Sequence, residues 1–504
     1  MSGADHGENL LQRWLGWKGL PWLIWVLGII LVCLQIEFRP LDRDEGFYLF
    51  GAWRVFRGEL PYQDFFYPQA PYLPFIYAPA VGLFRDGILG GRILSAAFTI
   101  GLAILCAWWV TARSQDRRLG LLAGGMMLFG NLGLYWHSAV KTYAASDLVL
   151  VAAFIVMMVS FRALRSSKVF LPCLLAGLLF GIAFNIRLVL AGAIPYLLLL
   201  ALLAPGWGRV RRFAGLLVGM VIASIPALML FVADPKRYWF QNLTFHVTAR
   251  LPNPWWQFAL QKVKALGEYL GSLDILVLVI LCVVGFRAIS RSAGDLPSDF
   301  KREIWMGIGL AAILFATYLT APPLLPQYLV QLSPFLVFGA VAATATALKE
   351  SRDSTGPVIV LILLLAYGGW GVGKAVGRMV ERHDLAPLYG TQTVREVGRY
   401  VQSHTGPDDR ILTFWPAYLV AARRNPVPDT EFGRPAFRLE WRNIPEVIHQ
   451  EGLTTQQDVK DLIANRVPSA VVCGFDTPPD LIPFLEQYYH RDREIGGVMI
   501  FVRQ

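Results

Sequence analysis

The sequence has too few charged residues to cover the surface of a soluble protein of its length. Charged side chains account for 16% of the 504 residues, and hydrophobic ones for 55%. Soluble domains average about 25% charged and about 45–50% apolar residues. This shortage excludes an ordinary water-soluble fold for much of the chain, so we expect lipid to be the solvent around it.

Several motifs of soluble enzymes and metal proteins are also absent from the sequence. None of the five cysteines has CxxC spacing, so neither a zinc site nor a disulfide framework is indicated. The C-terminal part has no GxGxxG, P-loop or GxSxG motif. The net charge of +10 is spread over short clusters between apolar runs rather than over one basic face. This pattern argues against a nucleic-acid partner.

Long apolar runs are the dominant feature that the sequence does have. A membrane-spanning helix needs about 20 predominantly apolar residues. Candidate spans lie at residues 20–37, 92–110, 119–136, 145–161, 169–186, 188–204, 213–232, 269–286, 304–321, 328–348 and 357–375. We therefore predict a mainly α, polytopic membrane protein with about 11 transmembrane helices.

Basic residues gather between alternate apolar segments. The clusters are Arg13/Lys18, Arg113/Arg117/Arg118, Arg162/Arg165/Lys168, Arg209/Arg211/Arg212, Arg287/Arg291/Lys301/Arg302 and Lys349/Arg352. Short loops rich in Lys and Arg stay in the cytoplasm, and all of these clusters agree with one orientation. It places residues 1–19 in the cytoplasm and the C-terminus outside a bacterial inner membrane. It also makes the proline-rich segment Tyr67–Phe84 a juxtamembrane or partly inserted helix within a long outer loop, residues 38–91.

The C-terminal residues 376–504 differ in character from the rest. They are charged, and helix-like stretches alternate with strand-like ones. Helices are predicted at Thr391–Ser403, Thr454–Asn465 and Asp480–Tyr489, and strands at Arg410–Trp415, Ala470–Phe475 and Gly497–Arg503. This pattern predicts a small extracytoplasmic α/β domain that follows a membrane domain of residues 20–375.

An acidic stretch directly follows the first span. Asp42, Asp44 and Glu45 precede an amphipathic helix, predicted at Phe47–Arg57, and then the proline-rich segment. Charges at the end of a span are often merely solvated. Here the apolar segment that follows favours a fixed pocket at the membrane surface, and general-base catalysis needs a carboxylate that is held rigidly and partly desolvated.

The same stretch resembles the first outer loop of the GT-C glycosyltransferases, in particular the branch of the protein O-mannosyltransferases, the lipid A aminoarabinose transferases and the RgtA/B/C/D-like sugar transferases. The matching residues are Asp44-Glu45, Gly58, Pro61-Tyr62 and Asp64. The sequence Tyr67-Pro68-Gln69-Ala70-Pro71 departs from the family's His/Lys-Pro-Pro-Leu run. A basic residue that the family uses near the donor phosphate is therefore missing from this position.

Later segments carry the resemblance on through about residue 350. His137, Lys141 and Asp147 resemble the family's second outer loop, in which a basic residue and an Asp face the active site. Pro326-Gln327-Tyr328 resembles its late Pro-Arg-Tyr motif, with Gln in place of Arg. The tail is similar to an outer α/β domain that is found in many members.

The resemblance implies an inverting transfer of a sugar from a polyprenyl-phosphate donor to a lipid, glycan or protein acceptor at the outer face of the membrane. Asp44 would act as general base and Glu45 would orient or support it. Asp42 is a substitute base. The acceptor-binding or supporting candidates are Asp42, Asp64, Tyr67 and Asp147. No nucleotide takes part, and the sequence requires no cofactor, although it leaves a divalent metal open.

Cations are needed where negative charge develops on the leaving phosphate. Lys141, Arg187 and His137 lie at outer ends of spans and are the candidates. An ionisable residue that interrupts apolar runs is a functional candidate, but Arg187 and Lys141 equally fit cations that snorkel to the interface. His137 fits an interfacial polar residue better than a catalytic one, and Asp147 equally fits a helix N-cap.

Three other classes of function stay open at this stage. A lipid-linked glycan transporter or flippase typically has inverted repeats and mid-membrane charges, and this sequence shows no repeat. A membrane-anchored binding protein would act through its tail alone. A polymerase or ligase would use a diphosphate-linked donor. Asp42-Arg43-Asp44 also matches the Asp-x-Asp of metal-dependent nucleotide-sugar enzymes, but nucleotide sugars are absent outside the cell.

Chemical labelling of residues 42–45 tests the predicted orientation. A membrane-impermeant reagent applied to intact cells should reach a cysteine placed at one of these positions, because the loop after the first span is predicted to lie outside. Labelling that requires opened cells would put this loop in the cytoplasm and contradict both the orientation and the function that depends on it.

Overall fold

The computed structural model is mainly helical and has a small sheet near the C-terminus, as the sequence predicts. It describes residues 8–162, 169–203, 208–249, 254–291, 296–320, 323–351, 354–380, 387–442 and 444–503. Three residues of the basic clusters, Arg165, Lys168 and Arg352, lie outside these ranges.

Helices fill the chain from its first described residues to Val380. The first group is α1 (Leu10–Leu15), α2 (Leu20–Phe38), α3 (Arg43–Phe56), α4 (Tyr72–Leu83), α5 (Gly87–Ser114), α6 (Arg117–Phe129), α7 (Asn131–Trp136), α8 (Thr142–Phe161) and α9 (Phe170–Ile186). The second group is α10 (Ile194–Leu203), α11 (Arg209–Ala233), α12 (Pro235–Trp239), α13 (Phe245–Thr248), α14 (Trp255–Leu270), α15 (Leu273–Ser290), α16 (Ser298–Thr320), α17 (Ser333–Ala347) and α18 (Thr355–Val380). Short 3-10 turns at Leu188–Ala193 and Pro326–Leu332 lead into α10 and α17, and a π turn at Phe240–Thr244 leads into α13.

Eight helical segments in the described part of the chain are long and apolar enough to cross a membrane. They are α2, α5, α8, α11, α15, α16, the run Pro326–Ala347 and α18. The other three predicted spans, 119–136, 169–186 and 188–204, contain shorter helices, and the first of them is broken at Gly130 between α6 and α7. The protein is therefore a multi-pass membrane protein.

Helices α9 and α11 pack closely because glycine lines their contact. A Cβ atom added at Gly177 would lie 2.2 Å from the carbonyl oxygen of Leu216, and one at Gly219 would lie 2.2 Å from that of Leu174. Lipid gives helices little hydrophobic reason to associate, so such close backbone contact is a main source of their attraction. The opposite face of α11 exposes apolar side chains such as Val221 and Met229, as expected against lipid.

The C-terminal residues form a five-stranded mixed sheet with helices around it. The elements are α19 (Thr391–His404), β1 (Arg410–Thr413), α20 (Ala417–Ala422), β2 (Asn425–Pro426), α21 (Pro445–Gln450), α22 (Gln456–Ala464), β3 (Ala470–Cys473), α23 (Leu481–Leu485), β4 (Tyr489–Ile495) and β5 (Val498–Arg503), with 3-10 turns at Pro387–Tyr389 and Arg434–Arg442. The strand order is β2-β1-β3-β5-β4. Strand β1 runs parallel to β2 and β3, whereas β5 runs antiparallel to β3 and β4.

Both edge strands, β2 and β4, escaped the sequence prediction. Strand β4 is YHRDREI, and most of its side chains are exposed, so it lacks the alternation of apolar and polar residues that marks a half-buried strand. Strand β2 has two residues and contains Pro426, which fits only at an edge. The helix predicted at Asp480–Tyr489 is shorter, and Tyr489 begins β4 instead.

The tail packs directly on α3, the helix that carries the acidic stretch. Trp415 is fully buried, and its Nε1 donates a hydrogen bond of 2.9 Å to the carbonyl oxygen of Arg43. The side chain of Arg43 forms an ion pair of 2.6 Å with Asp476. Gly46 lies under the indole ring, where a Cβ would come within 2.5 Å of Nε1. The sheet region therefore covers the start of α3.

Candidate active site

Helix α3 begins four residues earlier than the sequence predicted, and this places the acidic residues in its first turn. Asp42 is the N-cap, and its carboxylate accepts a hydrogen bond of 3.0 Å from the backbone N–H of Asp44. Glu45 reciprocates by accepting one of 3.1 Å from the N–H of Asp42, which completes a capping box. The positive end of the helix dipole favours ionised carboxylates there.

Glu45 is a buried anchor. Its two carboxylate oxygens accept hydrogen bonds of 2.8 and 2.9 Å from Arg92 of α5, and Oε2 also accepts one of 2.9 Å from Arg39 at the end of α2. The backbone N–H of Val140 donates a further bond of 3.2 Å. All three charged side chains have no exposed area. Glu45 therefore joins α2, α3, α5 and the loop before α8.

The two arginines keep Glu45 ionised. Burial alone would raise the pKa of Glu45, but Arg92 and then Arg39 outweigh it and lower the pKa to about 2. Glu45 does not line either of the cavities described below. Its position fits the predicted role of support for Asp44 and leaves it no direct access to a ligand.

Asp44 and Asp42 share the ammonium group of Lys141. The Nζ atom of Lys141 lies 2.6 Å from Oδ1 of Asp42 and 3.0 Å from Oδ2 of Asp44. The Lys141 side chain is 3% exposed, whereas that of Asp44 is 55% exposed. Desolvation by the surrounding protein opposes ionisation of Asp44 even though part of its side chain is exposed, but Lys141 outweighs it and lowers the pKa of Asp44 below its ordinary value of 3.8. Asp44 is thus an ionised carboxylate that faces open space.

One of the spaces that Asp44 faces is a cavity of about 320 Å³, here called the cationic cavity. Its walls include Asp44, Tyr48, Lys141, Thr142, Tyr143, Arg187, Tyr318 and Tyr328. Arg187 donates hydrogen bonds of 2.7 Å to Thr142 and 3.0 Å to Tyr318. Its guanidinium carbon also lies 4.6 Å from the ring centre of Tyr143. In the described ranges no carboxylate forms an ion pair with Arg187, so neutral groups hold this charge in place.

Asp44 also lines a second cavity of about 310 Å³, here called the aromatic cavity. Its walls include Arg43, Phe47, Tyr48, Phe66, Tyr67, Phe245, Glu431, Phe432 and Arg438. The segment between α2 and α5, the α13 region and the tail all contribute to it. Tyr48, Gln69, His246 and Tyr328 line both cavities, as Asp44 does, so the two spaces adjoin at Asp44.

Three other predicted site residues lie away from both cavities. His137 and Asp147 are buried and bonded to each other at 2.8 Å, and Asp147 also accepts a 2.8 Å bond from Gln331. Asp147 lies inside α8, so the N-cap interpretation is wrong; Lys141 occupies that position. Asp64 is exposed, and its carboxylate accepts a bond of 2.7 Å from the N–H of Leu60 within a turn.

Several cavity residues could not be identified from the sequence. Glu431 and Arg438 come from the tail, nearly 400 residues after Asp44, and no spacing rule links them to it. Tyr318 falls inside the predicted apolar span 304–321, and Tyr143 lies between the predicted spans 119–136 and 145–161, so neither position indicates a site. Tyr48 lies four residues after Asp44 on α3 and so on the same face of the helix, which is the one signal that could have identified it.

The described residues contain no group of three or more His, Cys, Asp or Glu side chains arranged to hold a metal ion. The carboxylates of Asp42 and Asp44 instead face Lys141.

Comparison with known proteins places this arrangement in a known fold. No protein-family model and no curated protein sequence matches the chain. A solved structure does match along nearly the full length of both chains. It is ArnT from Cupriavidus metallidurans bound to undecaprenyl phosphate, with a TM-score of 0.68, 14% sequence identity, and 97% of this chain and 98% of ArnT covered. This chain has the GT-C fold.

Two further solved structures agree with the GT-C fold. The oligosaccharyltransferase of Archaeoglobus fulgidus in its apo form matches with a TM-score of 0.52 and 11% identity over 94% of this chain and 73% of its own. The mycobacterial arabinofuranosyltransferase AftD matches with a TM-score of 0.53 and 14% identity over 98% of this chain and 42% of its own. The resemblance found in the acidic loop is thereby confirmed for the fold.

Replacement of Glu45 by Gln should destabilise the protein by about 3–5 kcal/mol, because it leaves Arg39 and Arg92 buried without their counter-charge. The difference in stability is measured by heating purified wild type and variant and quantifying the protein that remains folded by size-exclusion chromatography. Since the folded pKa of about 2 lies below the ordinary 4.5, the stabilisation by Glu45 is complete above pH 4.5 and is lost as the pH falls toward 2. The gap between wild type and variant should close over that interval.

Glu268→Gln is the matched control, because Glu268 is 53% exposed and forms a 4.0 Å pair with Lys264 on α14. Exposed pairs of this kind contribute little. Equal stability of the wild type and Glu45→Gln would show that the arginine–carboxylate cluster does not hold α3 in place.

Proposed function

We propose that this protein transfers a sugar from a polyprenyl-phosphate donor to an acceptor hydroxyl, with inversion at the anomeric carbon and with Asp44 as general base. The observation that carries the proposal is the position of Asp44 at the junction of two cavities, one of which is lined by Lys141 and Arg187. A group-transfer enzyme needs this arrangement, because donor and acceptor must meet at one reacting centre.

The cationic cavity suits the phosphate of the donor. Lys141 and Arg187 both line it, and among the described residues Arg187 is held by hydroxyl groups and rings rather than by a carboxylate. Cations that the folded protein already holds in place stabilise the negative charge that develops on the leaving phosphate. They also replace the basic residue that the family has in the run corresponding to residues 67–71: the positive charge comes from the loop before α8 and from the end of α9 instead. The structure of ArnT with undecaprenyl phosphate supports this type of donor.

In the proposed reaction, one bond forms and one breaks at the anomeric carbon. The acceptor oxygen attacks the anomeric carbon from the side opposite the phosphate, and the bond between that carbon and the phosphate oxygen breaks. The hydroxyl proton passes to the carboxylate of Asp44, and the polyprenyl phosphate leaves beside Lys141 and Arg187. Attack opposite to the leaving group inverts the configuration. Glu45 takes no proton and acts by fixing α3.

The proposal includes a location and a division of the chain. Residues 20–375 are the transferase domain, with loop 38–91 at the outer face of a bacterial inner membrane, and residues 376–504 are an extracytoplasmic domain that closes over it. Residues 1–19 lie in the cytoplasm. The acceptor is a lipid, a glycan or a protein that approaches from the outer side, through the aromatic cavity.

Replacement of Asp44 by Asn should reduce transfer by about 10²–10⁴-fold, the usual contribution of a positioned base, without loss of folded protein. Purified protein is incubated with a panel of polyprenyl-phosphate sugars, and released polyprenyl phosphate is measured. Asp64→Asn, in an exposed turn of the same loop, is the matched control and should keep full activity. A fully active Asp44→Asn variant would remove Asp44 from the role of base.

Replacement of Arg187 by Ala should raise the KM for the donor by about 10-fold, since a charge-assisted hydrogen bond to phosphate is among the stronger polar contacts. Arg187→Lys keeps the positive charge, so its KM for the donor should lie between those of the wild type and Arg187→Ala. Lys264→Ala removes an exposed cation on α14 and is the control. A second arm uses diphosphate-linked sugars of the same chain length. Unchanged donor kinetics in Arg187→Ala, or a preference for diphosphate carriers, would count against the donor assigned here.

A further inference from the structure

Two buried polar atoms face the aromatic cavity without a partner. Among the described residues, neither Oε2 of Glu431 nor the hydroxyl of Tyr67 makes a hydrogen bond. The two residues are 6% and 3% exposed, and both line the cavity that Asp44 also lines. Buried polar groups in folded proteins almost always have partners, so two unpartnered ones in one cavity indicate a ligand that completes them.

Neither side chain is placed to reach bulk water. The Tyr67 backbone N–H donates a bond of 2.7 Å to Gln241, and its ring packs edge-on against those of Phe65 and Tyr62 at 6.1 and 6.4 Å. Oε1 of Glu431 lies 3.6 Å from Nη1 of Arg54, which also pairs with Glu59. Burial outweighs Arg54 and raises the pKa of Glu431 to about 7, which agrees with an incompletely solvated carboxyl.

The remaining walls restrict what the ligand is. Phe432 packs against Phe47 at 4.9 Å, Phe66 at 4.8 Å and Phe245 at 5.6 Å between ring centres. A cavity of about 310 Å³ with ring walls and a few fixed polar groups has the character of a small-molecule site. A sugar unit fits this character, because its C–H faces pack on rings while its hydroxyls both donate and accept hydrogen bonds.

We propose that Glu431 and Tyr67 bind hydroxyl groups of a sugar unit on the acceptor, Glu431 as hydrogen-bond acceptor and Tyr67 as donor, so that another hydroxyl of that unit meets Asp44. The inference rests on the proposed function and narrows its acceptor to a saccharide or a glycolipid headgroup. It also gives the tail a direct part in the choice of acceptor, because Glu431 belongs to the tail and not to the membrane helices.

Short alkyl glycosides are suitable acceptor probes. Full-length protein in lipid nanodiscs receives the polyprenyl-phosphate sugar together with octyl glucoside, octyl galactoside or octyl mannoside below their micellar concentrations, or with 1-octanol as an acceptor without a sugar. The kcat and KM for each acceptor and the KM for the donor are measured. The variants are Glu431→Gln, Tyr67→Phe and the control Glu446→Gln, which changes an exposed carboxylate of α21 in the same tail.

The wild type should favour at least one glycoside over octanol. Glu431→Gln and Tyr67→Phe should each raise the KM for that glycoside by about 10-fold, the loss expected for one hydrogen bond to a buried group, and should leave the donor KM unchanged. The glycoside-to-octanol ratio of kcat/KM should fall accordingly, whereas Glu446→Gln should match the wild type.

The outcomes separate the two proposals. If the wild type uses octanol as well as every glycoside, or if both variants keep the wild-type preference, the sugar-binding role of Glu431 and Tyr67 is overturned while the transferase function stands. If the wild type consumes none of the polyprenyl-phosphate sugars in the panel, the proposed function itself fails, and this inference fails with it.

Discussion

The ion cluster of Glu45 with Arg39 and Arg92 is the contact on which the arrangement around Asp44 depends. One carboxylate without exposed area binds guanidinium groups from the end of α2 and from α5, and the same residue closes the first turn of α3. Removal of the Glu45 carboxylate would leave both guanidinium groups buried without a counter-charge, and removal of the arginines would leave the carboxylate so. The stability of each charged group therefore depends on the others. The consequence of this cluster is local. The first turn of α3 is held in place, and so is the side chain of Asp44, which directly precedes Glu45.

The membrane helices and the tail contribute different residues to the two cavities that meet at Asp44. The loop before α8 and the end of α9 contribute Lys141 and Arg187 on one side of Asp44. The tail contributes Glu431, Phe432 and Arg438 on the other side, and it is locked to α3 through Trp415 and the Arg43–Asp476 pair. In the proposed reaction the helices thus bind the phosphate, which all polyprenyl-phosphate donors have in common. The tail helps to select the acceptor.

Sequence patterns succeeded where a residue's role depends on its near neighbours. Apolar runs identified the helical segments, and the acidic stretch identified Asp44 and Glu45 because they follow a span directly. The start of α3 was missed by four residues because the capping box overrides the apolar periodicity that suggested Phe47. His137 and Asp147 were expected near the site but pair with each other in the helix core. Strand β4 was missed because an exposed edge strand carries no apolar alternation.

The sequence by itself determined that lipid is the solvent for much of the chain, which segments are helical, and that a carboxylate pair follows the first span, since hydrophobicity and spacing are properties of short stretches. Only the tertiary structure decided that Glu45 is an anchor while Asp44 faces open space, that Arg187 and Glu431 stand in cavities meeting at Asp44, and that the tail closes over α3. The physical reason is that burial, ion pairing and cavity shape arise between residues tens to hundreds of positions apart, and no local pattern encodes which of them will meet.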